Sequence, residues 1–207
     1  MAEAKVIISI PEGKLRDYID GTIRPDTPEE YVRQTVEKRL INEHKYLKEQ
    51  IKIEYGVQMG SGKKRADIVI FQEDATDEEK KDQHNINIIV ECKKEAVKPT
   101  DKNNGIEQLK SYMAACNNCE WGMWTNGLHK TVYRKVTNDK NQTVFEEYND
   151  IPSADGTTDE QERPNRNTLI KAYEDNLLFT FKTCHNISFI CCIDCFSNCF
   201  IHRISFC

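Results

Sequence analysis

Residues 87–95, NIIVECKKE, set the tightest constraint on what this chain can fold into. Asn87, Ile88, Ile89 and Val90 read as a β-strand running into a protein interior. The run then gives way to Glu91, Cys92 and Lys93. Side chains alternate across a strand, so Glu91 and Lys93 share a face with Ile89 while Cys92 points the other way. A carboxylate and an ammonium therefore sit where the strand leaves the core. Burying a carboxylate is costly unless something compensates it. A metal ion does so, and Mg2+ is commonly held by one or two carboxylates with waters and a substrate phosphate.

Asp67 is the second carboxylate. It opens the apolar segment ADIVIF (66–71), a strand expected beside the one that carries Glu91. Two carboxylates at adjacent strand ends, with the backbone carbonyl of Cys92 as a third protein ligand, make a candidate site for Mg2+, or for Mn2+ as its substitute. Lys93 would then lie beside the metal, where it could orient an attacking water and steady charge on a phosphate. The chemistry implied is phosphodiester hydrolysis. A plainer reading fits the same residues: an exposed Glu91–Lys93 pair contributing roughly a few tenths of a kcal/mol.

The flanking pattern supplies a fold. Segment 27–49 predicts a helix, with Thr27 as N-cap, Pro28 in the first turn and Glu30 completing a capping box. Val32, Val36, Leu40, Ile41 and Leu47 form its apolar stripe. Strands follow at 51–57, 66–71 and 86–92, the first two joined as a hairpin by MGSGKKR (59–65). A second helix is expected over 102–118, and two more strands over 120–127 and 129–136, with KVIISI (5–10) as a short strand at the start. This order predicts an α/β fold with a central mixed β-sheet flanked by helices. The domain is expected over 1–145, a polar linker over 146–168, and a helical region with an anomalous cysteine-rich tail over 169–207. The tail's change of composition points to a shifted reading frame or a truncated chain. A terminal membrane helix is the rival, although Asp194, Asn198, His202 and Arg203 interrupt it.

Among 207 residues, 38% are hydrophobic and 30% charged, which suits a soluble domain with a sizeable core. The net charge of −5 argues against a chain that coats nucleic acid indiscriminately. A local basic groove is still open to it. From Lys45 to Arg65 there are six basic residues against two acids, and Lys63, Lys64 and Arg65 immediately precede Asp67. Double-stranded DNA is the partner such a patch would take through its phosphates. No apolar stretch follows Met1, so a cytoplasmic chain with reduced thiols is expected. Cys116 and Cys119 have zinc-like spacing without a second pair.

Asp67 followed by Glu91 and Lys93 resembles the PD-(D/E)xK nuclease signature, with Ala66 in place of the usual proline. Gln108 and Tyr112, four residues apart on the second helix, resemble the extra Gln-x-x-x-Tyr motif of helicase-linked nucleases. Together with TPEEYVRQ, IEYGVQMGSGKKRADIVIF, GIEQLKSYMA and WTNG, these segments are similar to the N-terminal nuclease domain of Type I restriction R subunits. That domain is also found fused to adenine-N6 DNA methylases. The resemblance spans about residues 25–137 and implies a restriction-endonuclease-like fold and Mg2+-dependent DNA cleavage in a restriction–modification system. A non-cleaving DNA-binding module that supports a methylase is the alternative. It further implies that Gln108 and Tyr112 contact nucleic acid, and that a helical glutamate completes the metal site. Glu30 is the first choice, Glu29 and Glu37 are rivals, and Glu54 is a supporting acid. No GxxxxGK[ST] loop is present, so an ATP-driven translocase, or methylase and specificity components, are expected on other polypeptide.

Overall fold

The computed structural model describes residues 10–158. The expected strand at 5–10 falls almost wholly outside them, as does the region expected over 169–207. An N-terminal hairpin pairs β1 (Lys14–Arg16) with β2 (Ile23–Pro25). Helix α1 (Pro28–Asn42) follows. Then come β3 (Ile51–Met59), β4 (Gly62–Phe71), β5 (Ile86–Cys92), helix α2 (Ile106–Ala115), β6 (Trp121–Thr125), β7 (Lys130–Thr137) and β8 (Thr143–Tyr148). The six strands β3–β8 form one sheet in chain order. It consists of two antiparallel meanders, β3–β4–β5 and β6–β7–β8, joined by a single parallel pairing of β5 with β6. Parallel neighbours need a crossover, and α2 supplies it. The α/β class with a mixed central sheet is thus as expected.

The apolar pattern explains the layering. Val32, Val36 and Leu40, one per turn of α1, are buried against Ile68, Ile70, Ile88 and Val90. On the other side Leu109, Tyr112 and Met113 of α2 pack with Val69, Phe71, Ile89 and Trp124. Covered on both faces, the middle of β5 is a run of three consecutive apolar residues, Ile88, Ile89 and Val90, rather than an alternating pattern. Gly122 lets α2 approach the sheet. A Cβ there would stand 2.3 Å from Met113 Sδ.

Three expectations need correction. Helix α1 ends at Asn42, not near 49. Lys45 takes a left-handed backbone conformation (φ 65°), and the Tyr46 N–H reaches back to the Leu40 carbonyl at 3.1 Å. Leu47 is consequently about half exposed rather than part of the buried stripe. The sheet also runs past residue 145, where a linker was expected to begin. Strand β8 pairs with β7 through Tyr148, Ile151 enters the core, and the Tyr46 hydroxyl donates to the Pro152 carbonyl at 2.9 Å. Finally, β1 and β2 were not anticipated. Among the described residues no helix is long and apolar enough to cross a membrane.

Strand direction decides what meets at one end of the sheet. β5 and β6 end together, with Cys92 level with Thr125. The β3–β4 hairpin overshoots that end, because the register that pairs Ile68 with Val90 carries β4 back to Gly62. The N-terminal turn of α1, the β5–α2 loop and the β6–β7 turn border the same end.

Candidate active site

The antiparallel register sets Asp67 level with Glu91 on neighbouring strands. Lys93 Nζ donates to Glu91 Oε2 at 2.7 Å and to Asp67 Oδ2 at 3.2 Å. Asp67 Oδ2 also accepts the Cys92 N–H at 2.8 Å, and Glu91 Oε1 accepts the Asp67 N–H at 3.4 Å. The three residues named from the sequence are therefore one hydrogen-bonded cluster, and the exposed-pair reading does not hold. The Glu91 side chain is fully buried and Lys93 nearly so, while Asp67 keeps 19% of its side chain open. Burial drives the Glu91 carboxyl up to about 8, with Asp67 adding to the shift and Lys93 opposing it. For Lys93 burial works the other way, but the Glu91 and Asp67 carboxylates outweigh it and hold the ammonium above the usual lysine range. Both shifts have one sense: the cluster holds its protons more tightly than the separate groups would.

At the start of α1 the two adjacent glutamates have different surroundings. The Glu30 N–H caps onto Thr27 Oγ1 at 3.1 Å, which is half of the expected box. The Glu30 carboxylate, however, takes Arg33 Nη2 at 2.7 Å and Gln34 Nε2 at 3.1 Å. Its neighbour Glu29 is the residue whose charge is felt at the cluster. Burial raises the Glu29 carboxyl, and Lys93, Asp67 and Lys94 are the next influences on it. Glu37 lies deeper along α1 beside Arg33, whose Nε is 3.5 Å from Glu37 Oε1. Glu54 stands opposite Asp67 on β3 with a left-handed backbone (φ 54°), and its carboxylate faces Arg24 at 3.0 Å, Arg65 at 3.4 Å and Arg33 at 3.5 Å. It therefore braces arginines rather than a metal.

Of the residues expected on the DNA side, Lys63, Lys64 and Arg65 are exposed on the projecting hairpin. Tyr112 is not a free contact surface, and Gln108 is half-buried beside it. Tyr112 is 1% exposed, and its hydroxyl accepts from Gln108 Nε2 at 3.0 Å and donates to the Arg65 carbonyl at 3.3 Å. This pair ties α2 to the strand two residues before Asp67. The i, i+4 spacing was legible in the sequence; the burial of the hydroxyl was not. Cys92 is buried on the α1 side of the sheet, and Cys116 and Cys119 are buried under α2.

The donor set suits a hard divalent cation that retains water and phosphate ligands. Two carboxylates and a backbone carbonyl fall short of a closed protein cage, which is the usual state of Mg2+ sites. Among the described residues no cluster of three His, Cys, Asp or Glu side chains forms such a cage. Asp67 Oδ1 takes no protein hydrogen bond there, and Asp67 is the open member of the cluster.

What the fold and site define is an α/β domain presenting two carboxylates and an ammonium at one end of the central strands of a mixed sheet. Over residues 28–152 the chain matches the model of the Type I restriction enzyme R protein N terminus (HSDR_N), and it belongs to that family. No curated protein and no solved structure matches it significantly.

Proposed function

We propose that this chain carries a Mg2+-dependent DNA endonuclease domain of a restriction–modification system, with a PD-(D/E)xK-type fold and site. The observation that carries the reading is the contact of Lys93 with both carboxylates where β5 ends beside the middle of β4. Asp67, Glu91 and the Cys92 carbonyl are the ligands, with Glu29 rather than Glu30 as the acid contributed by α1. When bound, the cation supplies Lewis-acid polarisation of the phosphoryl group. Lys93, held as an ammonium by the two carboxylates, donates hydrogen bonds. It orients the attacking water by donating to its oxygen and offsets the negative charge that grows on the phosphate. Gln108 and Tyr112 hold α2 against β4 and thereby fix where Asp67 begins. Lys63, Lys64 and Arg65 take the DNA backbone, and an ATP-driven translocase or methylase partner in the cytoplasm delivers the substrate.

Nicking of supercoiled plasmid in Mg2+, Mn2+ or EDTA tests the proposal. Metal-dependent nicking should fall by about 100-fold or more in Lys93→Ala and in Asp67→Asn. If wild type and both variants are equally inactive and none binds Mn2+ by calorimetry, the nuclease reading is wrong. DNA binding that is indifferent to metal and to Lys93 would leave a non-cleaving module instead.

A further inference from the structure

The loop that leaves β5 begins with Lys93 and runs to α2, and the end of β6 grips it at several points. Trp124 Nε1 donates to the Asn104 carbonyl at 2.8 Å, near the far end of the loop. The Thr125 carbonyl accepts the main-chain N–H of Lys93 at 2.8 Å. Asn126 takes the stretch just beyond. Its Nδ2 donates to the Glu95 carbonyl at 3.0 Å and to the Val97 carbonyl at 2.8 Å. The segment WTNG thus holds this loop with three consecutive residues.

Asn126 is 2% exposed, and every hydrogen-bonding position of its side chain is filled. While Nδ2 serves the loop, Oδ1 accepts the N–H groups of Leu128 and His129 at 3.0 and 2.7 Å and closes the β6–β7 turn. That turn has support of its own. Thr125 Oγ1 accepts the Gly127 N–H at 3.1 Å and donates to the His129 carbonyl at 2.9 Å. Gly127 has φ 88°, and a Cβ there would stand 3.3 Å from Val32 Cγ2, so the turn rests against α1. One short amide therefore joins a turn that needs an acceptor to a loop that needs donors. A carboxylate of the same shape could close the turn, but it would set an oxygen against two carbonyls. A serine hydroxyl could close it too and would be too short to reach the loop.

Lys93 is the residue with most to lose from a free loop. It lies just past Cys92, the last residue of β5 paired with β6, and its ammonium rides on a flexible four-carbon stem. Contact of that ammonium with Glu91 and Asp67 at 2.7 and 3.2 Å therefore depends on where the main chain leaves the strand. Thr125 fixes the chain at residue 93, and Asn126 fixes it again at residues 95 and 97.

We propose that Asn126 is a positioning residue for Lys93: through the Glu95 and Val97 carbonyls it holds the chain that leaves β5, so that the ammonium stays on both carboxylates. The consequence for cleavage rests on the nuclease reading above, whereas the seating of the ammonium does not. Asp67, Glu91 and the Cys92 carbonyl lie within or before the strand pairings, upstream of the strap, so cation uptake should survive its loss.

The test uses the full chain. Asn126→Asp and Asn126→Ser both keep an acceptor for the turn and remove the donors to the loop, and thermal melting shows which of them folds. Proton–nitrogen correlation spectra of lysine ammonium groups read the seat directly, because a buried ammonium bonded to carboxylates exchanges slowly. Wild type should show a signal that disappears in Lys93→Ala, and the Asn126 variants should lose or broaden it. Plasmid nicking should fall about 10- to 100-fold in each variant, as expected for a misplaced catalytic group, while Mn2+ affinity by calorimetry stays near wild type. In a Lys93→Ala background Asn126→Ser should cost nothing further, since a residue acting through the ammonium has nothing left to act on. No Lys93 signal in wild type, a folded variant that keeps it, or a nicking loss that adds in full to that of Lys93→Ala overturns the inference and leaves Asn126 a brace of the turn. Wild type that shows the signal but neither nicks nor takes up Mn2+ sinks the nuclease reading alone; loss of the signal in the variants then still supports the positioning role.

Discussion

Glu91 must lose its proton before it can bind a cation, and burial has moved that proton's pKa to about 8. Mn2+ affinity should therefore rise up to about tenfold per pH unit until roughly pH 8 and then level off. Calorimetry at several pH values measures the slope, and Glu91→Gln should lose both the slope and most of the affinity. Glu37 is a second carboxyl raised to about 8, by burial first and then by the charge of Asp17, against the pull of Arg33. Between its ordinary value of 4.5 and about 8, the unfolded chain releases a proton that the native state keeps. Stability from this group is complete below 4.5 and is lost as pH rises through that window, by up to about 1.4 kcal/mol per unit. Glu37→Gln should flatten the pH dependence of the urea midpoint between pH 5 and 8. A midpoint profile unchanged by the substitution would show that Glu37 ionises normally.

Helix α1 is held at both ends by charge. Near its start Arg33, with 6% of its side chain exposed, contacts Asp17, Glu30, Glu37 and Glu54. Removing a buried partner that compensates several carboxylates leaves them unpaired, so Arg33→Ala should destabilise the domain by about 3–5 kcal/mol in denaturant unfolding. At the other end Asp150 accepts from Arg39 and Lys130, with His44 close by. This is the anchor that carries the chain back over α1 after β8. At Gly122 an added methyl would drive into Met113, and Gly122→Ala should cost about 1–3 kcal/mol by overpacking. The long strands were legible because β-branched residues crowd 51–57, 66–71 and 86–92. β8 was not, since TVFEEY sits half exposed at a sheet edge and its two glutamates read as loop. Nor does anything local in Glu43, His44 and Lys45 stop a helix. The turn there is set by distant contacts such as Tyr46 with Pro152.

Across residues 10–158 the chemistry converges on one end of an acidic molecule whose net charge is −5 over the full chain. DNA affinity should accordingly fall steeply with salt, and Lys63→Ala with Lys64→Ala should reduce the log–log slope by about two in filter binding or anisotropy. Asp67, Glu91 and Lys93 could be read from the sequence because strand periodicity fixes their faces and register sets them level. How Glu29 and Glu30 divide at the start of α1 could not. Adjacent helical residues differ by about 100° in direction, and Arg33 decides between them by engaging Glu30. The single parallel seam between β5 and β6 has a further consequence. Every group in the Asp67–Glu91–Lys93 cluster belongs to the first meander, whereas the turn after Thr125 belongs to the second. The cluster is thus carried by one half of the sheet, and the other half reaches it across one parallel pairing and through the Thr125 carbonyl that holds the Lys93 N–H.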